Sequence, residues 1–404
     1  MKKWCNALFK WQIVLTVLLS FILFTIQRNP LNLINIVLLL LSFFFMYKGT
    51  KHVSRILNIV VSPYIFLYDY CNILKVLIKS FANFDTVLYV LYFIGMLVIL
   101  IPVIVNDYGN ITKPILQLAA TIWLIISLFL ISFSLINIGG SQFIIGLNKS
   151  QLLLALIFLE YTYLAITGWG YRFRFNLKIK DSTVIYYLFL LILMGITVWI
   201  SLFNIFVLSA SDWSQAFCFW KWDFSLINPN ESATMHNIWN LYFSALDAGI
   251  MEESARYIFL LTLLTLLSKR KGRTSYSIII SSLIFSVLHI LSFSTPGATV
   301  NYVVFKILHS FGWGCLLGII FLYSGKLWLT MALHAFADYL SYSVTPLGYG
   351  GILANNGNTE IVELAAVTII PLILAAIILY SKTARSIIDK NISKYVENTK
   401  VAAV

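Results

Sequence analysis

A chain of 404 residues that is 60% hydrophobic and only 11% charged is not an ordinary soluble protein, since soluble domains carry about 25% charged residues. Its mean hydropathy of +0.88 excludes a soluble enzyme and leaves a polytopic, all-α membrane bundle. The net charge of +12 fits cytoplasmic loops facing anionic lipid, and no basic stretch comes with the scaffold that nucleic-acid recognition requires.

The first thirty residues, "MKKWCNALFKWQIVLTVLLSFILFTIQRNP", run from basic to apolar without a small-residue cleavage site. They read as an uncleaved first helix. A span needs about 20 apolar residues, and by that measure the chain holds about twelve. They fall at 11–27, 31–47, 56–74, 86–105, 115–138, 151–169, 183–209, 237–267, 275–293, 300–323, 326–343 and 361–381. The third is the weakest, because Pro63 and Asp69 interrupt it. With the N-terminus inside, most loops on that side are basic ("YKGTKHVSR", "NDYGNITK", "YRFRFNLKIK", "SKRKGR"). Most of those opposite are poor in Lys and Arg. The alternation predicts both termini in the cytoplasm and a multi-pass protein of the cell membrane. Cys5, Cys71, Cys218 and Cys315 have no ligand spacing, and a disulfide framework is not expected. The aromatic loop at 210–236 reads as an interfacial helix on the outer side.

Ionisable residues inside the membrane are sparse in the first six spans and concentrated from the eighth to the eleventh. Asp69 and Glu160 are the exceptions in the first half, and each is expected to find a hydroxyl partner or a helix end. The segment "MEESARYIFL" sets Glu252, Glu253 and Arg256 in mid-span. Arg256 follows the two acids by four and three residues, so one helical face can pair it with either. One carboxylate is then held by the guanidinium and the other faces a cavity. Phe285 and His289 in "FSVLH" are four apart, as are His334 and Asp338 in "HAFAD". Lys306 and His309 are one turn apart on a helix whose Gly312, Gly314 and Gly318 permit close packing. A carboxylate and an imidazole facing one water can activate it. A second imidazole with a polar neighbour can stabilise the oxyanion of an attacked amide. The reaction class is hydrolysis of a peptide bond in or beside the bilayer. Two Glu and two His could also bind zinc, with Glu252, His289 and His334 as ligands, although no His-Glu-x-x-His helix is present.

"EESAR" at 252–256, "FSVLH" at 285–289 and "HAFAD" at 334–338 occur in that order. This resembles the CPBP family, the CAAX-protease and bacteriocin-processing (Abi) intramembrane proteases, with its Glu-Glu-x-x-x-Arg, Phe-x-x-x-His and His-x-x-x-Asn/Asp motifs. The resemblance covers about residues 183–381, which are expected to form the protease core. Residues 1–182 form a region of about six helices of unknown role and unknown partner, and 382–404 a cytoplasmic tail. The resemblance implies that Glu252 and His289 activate the water and that His334 and Asp338 stabilise the oxyanion. It makes Glu253, Arg256 and Phe285 supporting residues. It also implies a glutamate-dependent site without metal, zinc being the alternative, and a lipid-proximal or small hydrophobic peptide as substrate. Bacteriocin maturation, self-immunity or peptide-signal processing would be its setting. The chain departs from the family pattern at Arg256, which comes one residue early. Other readings are a proton-coupled transporter and a catalytically inactive immunity or scaffold protein.

Overall fold

The computed structural model describes residues 2–177, 183–295, 297–353 and 358–396. Among them the chain is helical, with no strand and one isolated bridge between Ile227 and Val344. It divides into two compact units, one ending at Phe173 and the other beginning at Arg174.

The first unit contains α1 (Lys2–Gln27), α2 (Pro30–Tyr47), α3 (Lys51–Ser80), α4 (Asp85–Val98), α5 (Ile101–Asn106), α6 (Pro114–Ser132), α7 (Gln142–Lys149) and α8 (Leu152–Gly168). Helix α1 packs on α2, α3 and α5, while α3 packs on α6 and both α4 and α5 pack on α8. The break between α1 and α2 falls at Asn29, whose side chain caps α2 ahead of Pro30. The weak third span is a continuous helix despite Pro63. Its Asp69 is buried and accepts hydrogen bonds from Ser20 Oγ and from Asn35 Nδ2 at 3.2 Å. Asp69 thus has the hydroxyl partner expected of it. Glu160 does not, for its Oε2 is buried without a hydrogen bond among the described residues.

The second unit contains α9 (Val184–Ser209), α10 (Trp213–Phe217), α11 (Ile238–Leu266), α12 (Arg273–Leu288), α13 (Val300–Ser324), α14 (Leu327–Tyr342), α15 (Asn358–Tyr380) and α16 (Lys382–Val396). Its centre is α11, packed along α14 and α12, with α13 bridging α12 and α15 and α9 against α14 and α15. Helix α16 lies on α13, where Asn391 Nδ2 donates to the carbonyls of Leu322 and Tyr323 at 3.1 and 2.7 Å.

Nine helical stretches are long and apolar enough to cross a membrane among the described residues, or ten if α7 and α8, bent by 54°, form one span. The chain is a multi-pass membrane bundle, but the expected twelve spans are not reached by length and composition. The shortfall has physical causes. Helix α11 carries Asp247, Glu252, Glu253 and Arg256. Helix α14 has only 16 residues, about 24 Å at the α-helical rise, against a hydrocarbon core of about 30 Å.

The loop at 210–236 also differs from expectation. It is one short helix followed by three 3₁₀ turns, not a single interfacial helix. Trp222 stacks on Phe206 with ring centres 4.9 Å apart and donates from Nε1 to the Ala216 carbonyl at 3.0 Å. The same loop is tied to the end of α14, where Asn228 N–H donates to the Ser343 carbonyl (2.8 Å) and Ala233 N–H to that of Val344 (2.9 Å).

Candidate active site

Consecutive residues on a helix diverge by about 100°, so Glu252 and Glu253 cannot share a direction. Glu253 turns inward, its side chain 2% exposed, and accepts a hydrogen bond from Arg256 Nη1. Glu252 turns, with Ala248 one turn before it, into a cavity of about 510 Å³. The arginine that comes one residue early therefore serves the buried acid, three residues away, and leaves the other acid to the cavity.

His334 of α14 joins the two. Its Nδ1 stands 2.7 Å from Glu253 Oε1. An ionised carboxylate only accepts, so Nδ1 carries the proton. Nε2 then faces the cavity, 3.5 Å from Glu252 Oε2 and 3.8 Å from Asp338 Oδ2. The imidazole sits edge-on to Trp313 of α13, with ring centres 6.3 Å apart. The Arg256 guanidinium carbon also lies 4.5 Å from the centre of the Phe285 ring, within cation–π range. Phe285 meets His289 edge-on at 5.1 Å. Arg256 thus contacts a neighbour of each histidine, Glu253 beside His334 and Phe285 beside His289.

His289 caps the last turn of α12, where the helix tightens into the 3₁₀ segment His289–Ser294. It lines the cavity together with Glu252, Phe285, His334 and Asp338. Close helix contact makes this convergence possible. A Cβ on Gly249 would stand 2.6 Å from the Met331 carbonyl oxygen, so α11 and α14 touch through backbone there. A Cβ on Gly312 would stand 2.4 Å from the Val367 carbonyl oxygen, and one on Gly314 3.1 Å from Ser282 Oγ. Of the three glycines expected to permit close packing, Gly318 has room to spare, with nothing nearer than 3.8 Å.

The wall also holds residues that the motif reading passed over. Asn204 of α9 lies with its Nδ2 3.3 Å from His309 Nε2, and Glu363 comes from α15. Lys306 and Tyr342 are among the further polar residues that line the cavity. Asp247, on α11, lies within electrostatic range of Glu252 and Asp338, and its Oδ1 is buried without a hydrogen bond among the described residues. An acid five residues before Glu252 in the same span was a readable signal. Asn204 gave none, standing alone in an apolar helix.

Residues 234–340 match the model of the Rce1-like family, described as type II CAAX prenyl endopeptidase Rce1-like. The chain carries an Rce1-like domain. A search among curated proteins finds no match, and one among solved structures finds none. The resemblance drawn from the three ordered motifs agrees with this family of membrane proteases. The Rce1-like stretch contains all seven motif residues and ends within α14. Helices α9 and α15, which bring Asn204 and Glu363 to the cavity, lie outside it.

Zinc requires three protein ligands around one point in a catalytic site. Among the described residues no group of three His, Cys, Asp or Glu side chains is arranged to hold a metal ion. Glu252, His289 and His334, the conditional zinc set, are not drawn together as such a group.

Proposed function

We propose that the protein is an intramembrane endopeptidase that hydrolyses a peptide bond of a lipid-modified or small hydrophobic peptide. The observation that carries this reading is the meeting of Glu252, His289, His334 and Asp338, from three different helices, around one cavity.

A water between Glu252 and His289 attacks the carbonyl carbon as one of them accepts its proton. General-base assistance of this kind contributes about 10²–10⁴-fold. The carbonyl oxygen becomes an oxyanion. His334, with both ring nitrogens protonated, donates to it from Nε2, and Asp338 donates as a neutral acid. Such a donor is worth about 10²–10³ in rate. Collapse of the tetrahedral intermediate re-forms the carbonyl and breaks the C–N bond. The proton taken from water passes to the leaving nitrogen, so one water is consumed and a carboxylic acid and an amine are released. Glu253 and Arg256 take no part in proton transfer. They fix the rings that do.

The likeness to a type II CAAX prenyl endopeptidase family supports a substrate bearing an apolar lipid near the scissile bond. The test is cleavage of a farnesylated fluorogenic peptide by the full-length protein in lipid vesicles. His289→Ala and Glu252→Gln should each remove cleavage while membrane abundance stays at the wild-type level. Full cleavage by both variants would overturn the reading. Cation-coupled uptake that is lost on the same changes, without any cleavage, would establish a transporter instead.

A further inference from the structure

The first unit contains a cavity of its own, about 580 Å³, between the starts of α3 and α6. Its floor is apolar, formed by Ile59, Leu116, Ala119 and Trp123, while His52, Arg55 and Lys113 stand at its mouth. The wall is a fixed one. Trp123 Nε1 donates to the Val60 carbonyl at 2.9 Å and ties α6 to α3.

Three features distinguish this cavity from an ordinary gap between membrane helices. Its cations come from two separate segments, 47–55 and 106–113, both read from the sequence as cytoplasmic loops. Arg55 is also held in place. Its Nε lies 3.9 Å from Asp107 Oδ1, and Asp107 is anchored by Asn58 Nδ2 at 2.9 Å. Nε itself is buried and makes no hydrogen bond among the described residues. Finally, α3 and α6 both belong to stretches able to cross a membrane, so a mouth at their starts lies at the bilayer surface and the floor runs down towards its core. Ile56 of the lining, on α3, and Ile115, on α6, are exposed and apolar.

A cationic mouth at the surface above an apolar groove is the complement of one ligand chemistry, an amphiphile with an anionic head. We propose that this cavity binds an anionic phospholipid, its phosphate among Arg55, Lys113 and His52 and one acyl chain along Leu116, Ala119 and Trp123. A free anion would leave the groove unfilled. A zwitterionic lipid would bring a second, cationic group to a lining that contains no acid, Asp107 beside Arg55 being buried and already engaged. The anionic leaflet of a cell membrane is the cytoplasmic one, the side on which both basic segments are read to lie. The proposal stands independently of the peptidase reading, which concerns the other unit.

The test is native mass spectrometry of the full-length protein released from nanodiscs of equal phosphatidylglycerol and phosphatidylcholine. Wild type should retain phosphatidylglycerol preferentially, by about five-fold for each mouth cation that contacts it. Lys113→Gln, at an exposed position, should lower that preference by about the same factor. Ala119→Phe fills the groove without altering charge and should remove retention, with an unchanged size-exclusion profile as evidence of folding. Equal retention of the two lipids by wild type would overturn the proposal. So would a preference that survives Lys113→Gln and Ala119→Phe together, or displacement of the lipid by millimolar inorganic phosphate alone.

Discussion

The two units bury ionisable side chains in opposite ways. In the first, Asp69 is closed off by Ser20 and Asn35, and Asp107 by Asn58 with Arg55 nearby. Each acid has its partners within the helix packing and faces no reaction space. In the second, Glu252 and Asp338 keep 28% and 27% of their side-chain surface open, and the one ring nitrogen near both stands at 3.5 and 3.8 Å. Those separations are longer than a good hydrogen bond. The difference teaches that an acid at membrane depth is not by itself a sign of chemistry. Incomplete partnering around a shared cavity is the sign. Glu160 sharpens the point: among the described residues its Oε2 is buried without a hydrogen-bond partner, and it belongs to no group of three His, Cys, Asp or Glu side chains arranged to hold a metal ion.

The largest expected effect contrasts an open acid with a closed one. Glu252→Gln keeps the shape of the side chain and removes its ability to accept a proton, so cleavage should fall by about 10²–10⁴-fold. Thermal unfolding in detergent should barely move, because the carboxylate is partly open. Asp69→Asn should do the reverse, leaving cleavage at wild-type rate and lowering stability by about 1 kcal/mol through a weakened buried hydrogen bond. A loss of cleavage in Asp69→Asn comparable to that in Glu252→Gln would break the distinction between the units.

Next in size is the buried pair behind the site. Removing one partner of a buried ion pair costs about 3–5 kcal/mol, because the other charge is left uncompensated. Arg256→Met should therefore destabilise the protein by that amount, strand Glu253, and release the ring of Phe285. Arg256→Lys separates charge from shape. It keeps a cation for Glu253 but loses the planar group that lies over Phe285. Stability should recover most of the way while the cleavage rate stays depressed. If Arg256→Lys cleaves at the wild-type rate, the stacked guanidinium does not position His289.

The all-helical membrane fold was legible in the composition, and the ionisable residues of the three motifs stood out because charge at membrane depth is costly and its spacing follows the helix period. The same charges obscured the span count. A hydropathy reading treats 237–267 as one more crossing, whereas Asp247, Glu252, Glu253 and Arg256 together make α11 too polar to qualify by composition. The aromatic loop at 210–236 differs from the single helix expected because it folds as a short helix and three 3₁₀ turns, with Trp222 packed on Phe206, a pairing that no local pattern encodes. Asn204 and Glu363 were silent for the same reason, since only the packing of α9 and α15 brings them to the cavity. What Arg256 does could not be read from spacing alone. Both acids were within its reach, and the choice of Glu253 depends on α14 presenting His334 to the same oxygen.

The smallest effect tests how tightly the helices of the site must approach. Glycine and alanine differ by one methyl group, and in a helix interior alanine is favoured by about 0.5–1 kcal/mol. At Gly318 an added Cβ meets nothing nearer than 3.8 Å, so Gly318→Ala should be neutral or stabilising by up to about 1 kcal/mol. At Gly249 the same methyl would stand 2.6 Å from the Met331 carbonyl oxygen and 2.9 Å from the Ala335 Cβ. Backbone cannot swing aside as a side chain can, so α11 and α14 must separate. Overpacking of this kind costs about 1–3 kcal/mol. Separation also lengthens the approach of His334 to Glu252 and Glu253, because those residues sit one turn along the same contact. Gly249→Ala should therefore lose cleavage beyond what its stability predicts, whereas Gly318→Ala should leave cleavage untouched. Melting curves and cleavage rates of the two variants decide it: equal behaviour would mean that the α11–α14 spacing is not what holds the site together.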